Sequence, residues 1–204
     1  MFVQVFQGHA SDGAAIRSVM EKWERDLAPG ADGWLGSTAG VTDDGRFIGI
    51  ARFDSEESAR RNSDRPEQGE WWSEMAALFS DEATFLESTQ VYASPGSGDP
   101  DSAGFVQVIQ GHTSDSKRAF EMMTAESPEW IDFRPDILGS MAAAHDDSAY
   151  TMVLYFTSEA DAREGEKKEM PESMKAEMAE MDALEVGTPE FLDLKDPILA
   201  SPKG

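Results

Sequence analysis

Phe2-Val3-Gln4-Val5-Phe6-Gln7-Gly8-His9-Ala10-Ser11-Asp12 returns as Phe105-Val106-Gln107-Val108-Ile109-Gln110-Gly111-His112-Thr113-Ser114-Asp115, displaced by 103 positions from 2 to 105. The same displacement carries Leu35-Gly36-Ser37 onto Leu138-Gly139-Ser140, Asp43-Asp44 onto Asp146-Asp147 and Ser55-Glu56 onto Ser158-Glu159. No gap is needed between these landmarks. A period near half the chain means two copies of one module. The sequence therefore divides into repeats at 1–94 and 105–204, joined by a linker at 95–104 rich in Ser, Pro, Gly and Asp.

Each copy spells the same order of elements. Residues 2–9 alternate in a Val- and Phe-rich pattern that predicts a strand. Ser11 and Asp12 offer an N-cap. Ile16, Val19, Met20, Trp23 and Leu27 follow at spacings of three and four, which predicts an amphipathic helix over 12–27, ended by Pro29-Gly30. Strands are expected at 34–41 and 46–53 around a turn at Asp43-Asp44-Gly45. A helical region begins at Ser55, breaks near Pro66 and resumes through Trp71, Met75 and Leu78; residues 84–92 close the copy as a strand. The second copy repeats strand 105–112, a helix from Ser114, strands 137–144 and 149–156 around Asp146-Asp147, a helical region from Ser158 and a strand at 190–195. Its last section slips, with Phe85-Leu86-Glu87 matching Phe191-Leu192-Asp193.

The β-α-β-β-α-β order is ferredoxin-like, so the fold class is α+β with two tandem ferredoxin-like repeats. Such a sheet has helices on one face only. The expectation is that the other faces of the two sheets pack together as an intramolecular α+β barrel, giving a monomer with an internal pseudo-dimer.

Composition narrows the function classes. The net charge is −23, from 17 basic and 40 acidic residues, and both halves are acidic. That surface repels nucleic acid and anionic membranes. There is no cysteine, which removes disulfides and thiolate chemistry. The N-terminus carries no signal-like stretch and no segment is apolar enough to span a membrane, so a cytoplasmic protein is expected. No G-x-G-x-x-G or phosphate loop points to a nucleotide cofactor.

A few residues have chemical promise. His9 and His112 end the first strand of each copy beside Asp12 and Asp115. They read either as catalytic imidazoles or as shapers of the strand-to-helix corner, and the corner reading is favoured. One His and one Asp per copy is too few for a closed metal site, so no metal is expected. Arg52 shares its strand face with Ile48 and Ile50, either to hold an anionic or enolate ligand or to make a structural ion pair. Gln4 and Gln107 lie in the first strands with the capacity to hydrogen-bond a neighbour or a ligand. Trp71 and Trp72 are adjacent on a helix and point about 100° apart, so both cannot face inward; they read either as packing residues, the favoured reading, or as a pair of which one lines a cleft. Met170, Met174, Met178 and Met181 form a helical stripe, read as core or as an adaptable ligand surface.

By element order and duplication the chain resembles the dimeric α+β barrel superfamily. That group includes antibiotic biosynthesis monooxygenase-like, stress-responsive barrel and heme-degrading proteins, usually built from two chains where this one is similar to a fused tandem form. The resemblance implies a small-molecule pocket acting without cofactor on an aromatic or polyketide-like compound. It also implies that Asn62, Trp71, Trp72 and Tyr92 surround a flat substrate while Arg52, His9 or His112 makes or stabilises an enolate. Heme enzymes of the group ligate iron through a His on the second helix, and 56–80 and 159–182 contain none. The second copy has Gly165, Met174 and Lys175 at the places of Asn62, Trp71 and Trp72. The alternative is a non-catalytic ligand-binding or stress-response module of the same fold; a third reading is an acidic scaffold for a basic partner. The distinguishing feature is whether Asn62, Arg52 and a Trp point to one cavity.

Overall fold

The computed structural model of the protein describes residues 1–10, 12–124, 129–146 and 148–202. Two positions read from the sequence, Ser11 as a cap and Asp147 in the second turn, lie outside the described residues. The elements are β1 (Phe2–His9), α1 (Gly13–Asp26), β2 (Trp34–Val41), β3 (Arg46–Phe53), α2 (Glu56–Ser63), α3 (Pro66–Ala76), β4 (Thr84–Ser88) and β5 (Gln90–Pro95). They continue with β6 (Phe105–Thr113), α4 (Ser116–Thr124), α5 (Glu129–Phe133), β7 (Ile137–Ala144), β8 (Ala149–Phe156), α6 (Glu159–Glu166), α7 (Glu172–Leu184), β9 (Glu185–Leu194) and β10 (Ile198–Ala200). Both repeats thus follow the ferredoxin-like order. The chain forms two compact units, one of Met1–Gln90 with the segment from Leu194 onward, the other of Val91–Asp193.

The first unit carries a sheet in the order β10-β2-β3-β1-β4. β1 runs antiparallel to β3 with Phe6 opposite Gly49, and antiparallel to β4 with Phe6 opposite Phe85. Its α1 is capped by Asp12, whose carboxylate accepts from the N–H groups of Ala14 and Ala15 at 2.9 and 3.1 Å. The helices cover one sheet face: Ile16, Val19, Met20 and Trp23 of α1 and Trp71 and Met75 of α3 join Phe2, Ala39, Phe47 and Phe53 in one core. Pairwise alternation puts Val3, Val5, Ile48, Ile50 and Arg52 on the other face.

The second unit carries β5-β7-β8-β6-β9. Here Phe105, Phe156 and Ala162 form a core cluster with Ile137 and Leu154 against it. Within the methionine stripe, Met174 is buried and Met178 and Met181 are half-buried.

The structure departs from the sequence expectation at several points. The single strand expected over 84–92 is two strands, separated by a turn in which Ser88 Oγ donates to Gln90 O and accepts from Gln90 N, both at 3.0 Å. β4 completes the first sheet and β5 the second. The stretch 95–104 is also more ordered than a plain linker: Ser97 N donates to Ile137 O at 2.9 Å and Pro100–Ser102 forms a 3-10 turn. The last strand β10 returns to the first sheet, pairing Ile198–Ala200 with Ser37–Ala39. The edges of β2 and β7 need partners for their backbone groups, and these distant segments supply them.

The repeated landmarks have physical causes. Leu35-Gly36-Ser37 and Leu138-Gly139-Ser140 mark the same bulge, where the register against β3 and β8 shifts between Trp34 and Gly36 and between Ile137 and Gly139. Gln4 and Gln107 do find hydrogen bonds: Gln4 Nε2 donates to Glu87 and Gln107 Nε2 to Asp193, both at 2.9 Å. Arg60 and Arg163 close the two networks on the same carboxylates and lie over the Phe2 and Phe105 rings at 5.9 and 5.2 Å.

The Arg60 hydrogen bond chiefly holds the Glu87 carboxyl below the usual glutamate range, helped by Gln4. A carboxylate with a lowered folded-state pKa contributes stability above its unfolded pKa and loses it as pH falls through the folded value. Glu87→Gln is therefore expected to lower stability at neutral pH and to flatten its decline below about pH 4.5. Urea midpoints measured from pH 7 to pH 3 check this; parallel curves would contradict it.

Candidate functional site

The first unit contains a cavity of about 270 Å³ between its sheet and its helices. Its floor is the inward face of the strands, with Gln4 and Phe6 from β1, Ser37 from β2, Ala51 and Phe53 from β3 and Phe85 from β4. The helices supply Met20 and Trp23, Asn62 and Ser63, and Gln68, Gly69, Trp71 and Trp72.

The break between α2 and α3 makes this convergence. Pro66 holds the residue before it extended, and Arg65 has φ −69° and ψ 132°. Asn62 in the last turn of α2 and the first turns of α3 then face the same space. Arg65 fixes the junction, donating from Nη1 to Asn62 Oδ1 at 2.9 Å and to Leu27 O at 3.1 Å. On α3, Gln68, Trp71, Trp72 and Met75 stand at i, i+3, i+4 and i+7, one helix face wide enough for both tryptophans to reach the cavity.

The two tryptophans differ in how they are held. Trp71 is 6% exposed and its Nε1 donates to Val19 O at 2.9 Å. Trp72 is half-buried, with its ring 5.0 Å from Phe85, 5.7 Å from Phe6 and 6.1 Å from Trp71. Phe85 is 54% exposed and stands at the cavity mouth. Trp23 lies 6.3 Å from Trp71, and its Nε1 donates to Gln68 Oε1 at 2.7 Å.

Phe6 packs over Gly49, where an added Cβ would stand 2.3 Å from the ring. Gly49→Ala is expected to push Phe6 into the cavity and to cost about 1–3 kcal/mol in stability. Urea unfolding and ligand titration check it; unchanged values in both would mean that the ring has room to move elsewhere.

The residues singled out in the sequence separate. Asn62, Trp71 and Trp72 line the one cavity. Arg52 lies on the opposite face of β3, the face it shares with Ile48 and Ile50. Its guanidinium sits against Gly36, which has φ +137° and no Cβ to block it, and Arg52 Nε has no hydrogen-bond partner among the described residues. His9 is exposed at the end of β1, where its Nδ1 meets Asp81 Oδ2 at 2.6 Å and its backbone N–H donates to Asp81 Oδ1 at 2.8 Å. Those two contacts, the backbone bond first, hold the Asp81 carboxyl below its usual range. His112 is likewise exposed at the end of β6. Tyr92 belongs to the second unit, with its ring 6.4 Å from Phe120. Among the described residues no three His, Asp or Glu side chains gather as metal ligands would.

Gln68, Phe6 and Phe85 are not among the residues that the sequence singles out. The i, i+3, i+4, i+7 series through Trp71 and Trp72 is the signal for Gln68. Phe6 and Phe85 need the β1–β4 register.

The second unit fills the equivalent ground differently. Gly165 replaces Asn62, and the Arg134 guanidinium occupies the space a Cβ there would need. Arg134 pairs with Asp136 at 2.7 Å and lies 5.7 Å from the Phe156 ring centre. Met174, third in α7, takes the place of Gln68, third in α3.

No protein-family model matches the chain, and no curated protein does. Solved structures do match over nearly its whole length. A candidate monooxygenase from Lactobacillus acidophilus NCFM superposes with a TM-score of 0.73 at 12% identity, covering 98% of this chain and 99% of that one. A candidate monooxygenase from Fusobacterium nucleatum subsp. nucleatum ATCC 25586 gives 0.73 at 8% identity over 100% and 95%. An anthrone oxidase-like protein gives 0.69 at 11% identity over 98% and 92%. At these identities the likeness shows the fold alone: the chain shares the α+β fold of these structures, built from its two tandem repeats.

Proposed function

We propose that the cavity of the first unit binds a flat aromatic ketone of polyketide type, and that the protein oxidises this compound with molecular oxygen and no cofactor. The observation that carries this reading is the convergence of Trp71, Trp72, Phe6 and Phe85 around the Asn62 carboxamide. Aromatic walls suit a planar ring system, and the few polar groups among them orient it. The full-length likeness to candidate monooxygenases and to an anthrone oxidase-like protein supports it. The same reading has the protein acting in the cytoplasm as a monomer, since one chain carries both repeats.

The chemistry follows from what lines the cavity. A methylene flanked by aromatic rings and conjugated to a ketone loses a proton to give an enolate. The enolate gives electrons to O2, forming a carbon hydroperoxide that takes up a proton. Loss of water leaves a second ketone, so the CH2 group and O2 become C=O and H2O. None of the lining side chains is ionisable. The first proton therefore passes to water, and the Asn62 N–H group meets the enolate oxygen.

Oxygen uptake with 1,8-dihydroxyanthrone, after treatment of the protein with chelator, tests the reading. Expected is uptake well above the spontaneous rate, lost in Asn62→Ala, with a pH dependence set by the acidity of the substrate. Binding without faster uptake would leave a non-catalytic ligand-binding module. The neutral lining of the cavity would accommodate that outcome.

A further inference from the structure

We infer that Gln68 and Gln4 decide which aromatic compounds the cavity accepts, because a neighbour of fixed polarity holds each carboxamide one way round; this rests on the cavity being the ligand site, as proposed above. A free carboxamide can turn over and offer either its oxygen or its N–H2 group. These cannot. The indole N–H of Trp23 only donates, so Gln68 must turn its oxygen toward Trp23, at 2.7 Å, and keep its N–H2 group for the cavity. Arg65 likewise only donates, which fixes the Asn62 oxygen at 2.9 Å and leaves its N–H2 group. Glu87 is held ionised by Arg60 and only accepts, so Gln4 spends its N–H2 group there at 2.9 Å and keeps its oxygen.

These three carboxamides thus offer two donor groups and one acceptor, with no charge. It favours a ring system bearing carbonyl oxygens toward Asn62 and Gln68 and a free hydroxyl toward Gln4. It disfavours a bare hydrocarbon, which would leave these groups unpaired. In the second unit α7 carries Met174 at its third position, where α3 carries Gln68, so the device is confined to the first.

The test is a titration of the full-length protein with anthracene, 9,10-anthraquinone and 2,6-dihydroxyanthraquinone, followed by quenching of tryptophan fluorescence. Wild type is expected to prefer the quinone to the hydrocarbon, and the dihydroxyquinone to the quinone, each by about tenfold. Gln68→Leu should reduce the first preference about tenfold, by weakening the quinone and strengthening anthracene, with far-UV circular dichroism showing that the variant is folded. Gln68→Glu keeps an acceptor for Trp23 but turns a carboxylate toward the carbonyl, so the quinone should fall below the hydrocarbon. Gln4→Leu should erase only the second preference. Equal binding of the three compounds, or wild-type selectivity in the Gln68 variants, would overturn the inference while leaving the oxidation reading standing. Selectivity as described without oxygen uptake would uphold the inference and overturn the oxidation. Failure of all three compounds to bind would overturn both.

Discussion

Trp72→Ala is expected to weaken binding of a flat aromatic ligand on the order of 100-fold while leaving the protein folded. Trp72 is half-buried, and no hydrogen bond ties it among the described residues. Its ring meets Phe85 at 5.0 Å and Phe6 at 5.7 Å, at the mouth side of the cavity. Losing it removes one wall and exposes the faces of the other two rings. Aromatic pairs contribute about 0.5–1.5 kcal/mol each beyond the area they bury, and two such contacts with a ligand reach the expected factor. Trp72→Phe should recover most of the affinity, because a smaller ring still stacks. Fluorescence titration with 9,10-anthraquinone reads both variants. Equal affinity in wild type and Trp72→Ala would remove this residue from the site.

The adjacent residue should behave in the opposite way. Trp71→Ala is expected to cost about 3–5 kcal/mol of stability, the usual range for emptying a large buried aromatic site. Trp71 is 6% exposed, packs against Trp23 of α1, and gives its N–H to Val19 O of the same helix. Trp71→Phe keeps part of the packing but loses the hydrogen bond, and should fall between the two. Urea unfolding measures this. A loss under about 1 kcal/mol for Trp71→Ala would mean that the neighbours collapse into the space.

The contrast between these neighbours shows how far the sequence can be read. Adjacent positions on a helix diverge by about 100°, and that angle alone separates a core tryptophan from a cleft tryptophan. Which is which depends on the Pro66 break, because the turn at Arg65 aims α3. The repeat of 103 residues carries the element order and most strand limits through local signals: alternation, caps and turn residues. It also places Gln4 and Gln107 in equivalent strands. It does not reveal their partners Glu87 and Asp193, which lie across the sheet at a slipped displacement. The split into β4 and β5, and the return of β10 to the first sheet, are hidden for a related reason. Strand partners are chosen over long distances, and a few residues of edge strand look like linker. Arg52 shows the limit most plainly. Alternation puts it with Ile48 and Ile50, but only the aromatic set of Phe2, Phe47 and Phe53 fixes which face the helices cover.

A crystal structure of the protein with 2,6-dihydroxyanthraquinone tests the assignment of the site most directly. The ring system is expected in the first unit between Trp72 and Phe85, with a carbonyl oxygen accepting from the Asn62 N–H2 group. A ligand bound elsewhere, with the cavity beside Asn62 still empty at saturating concentration, would contradict it.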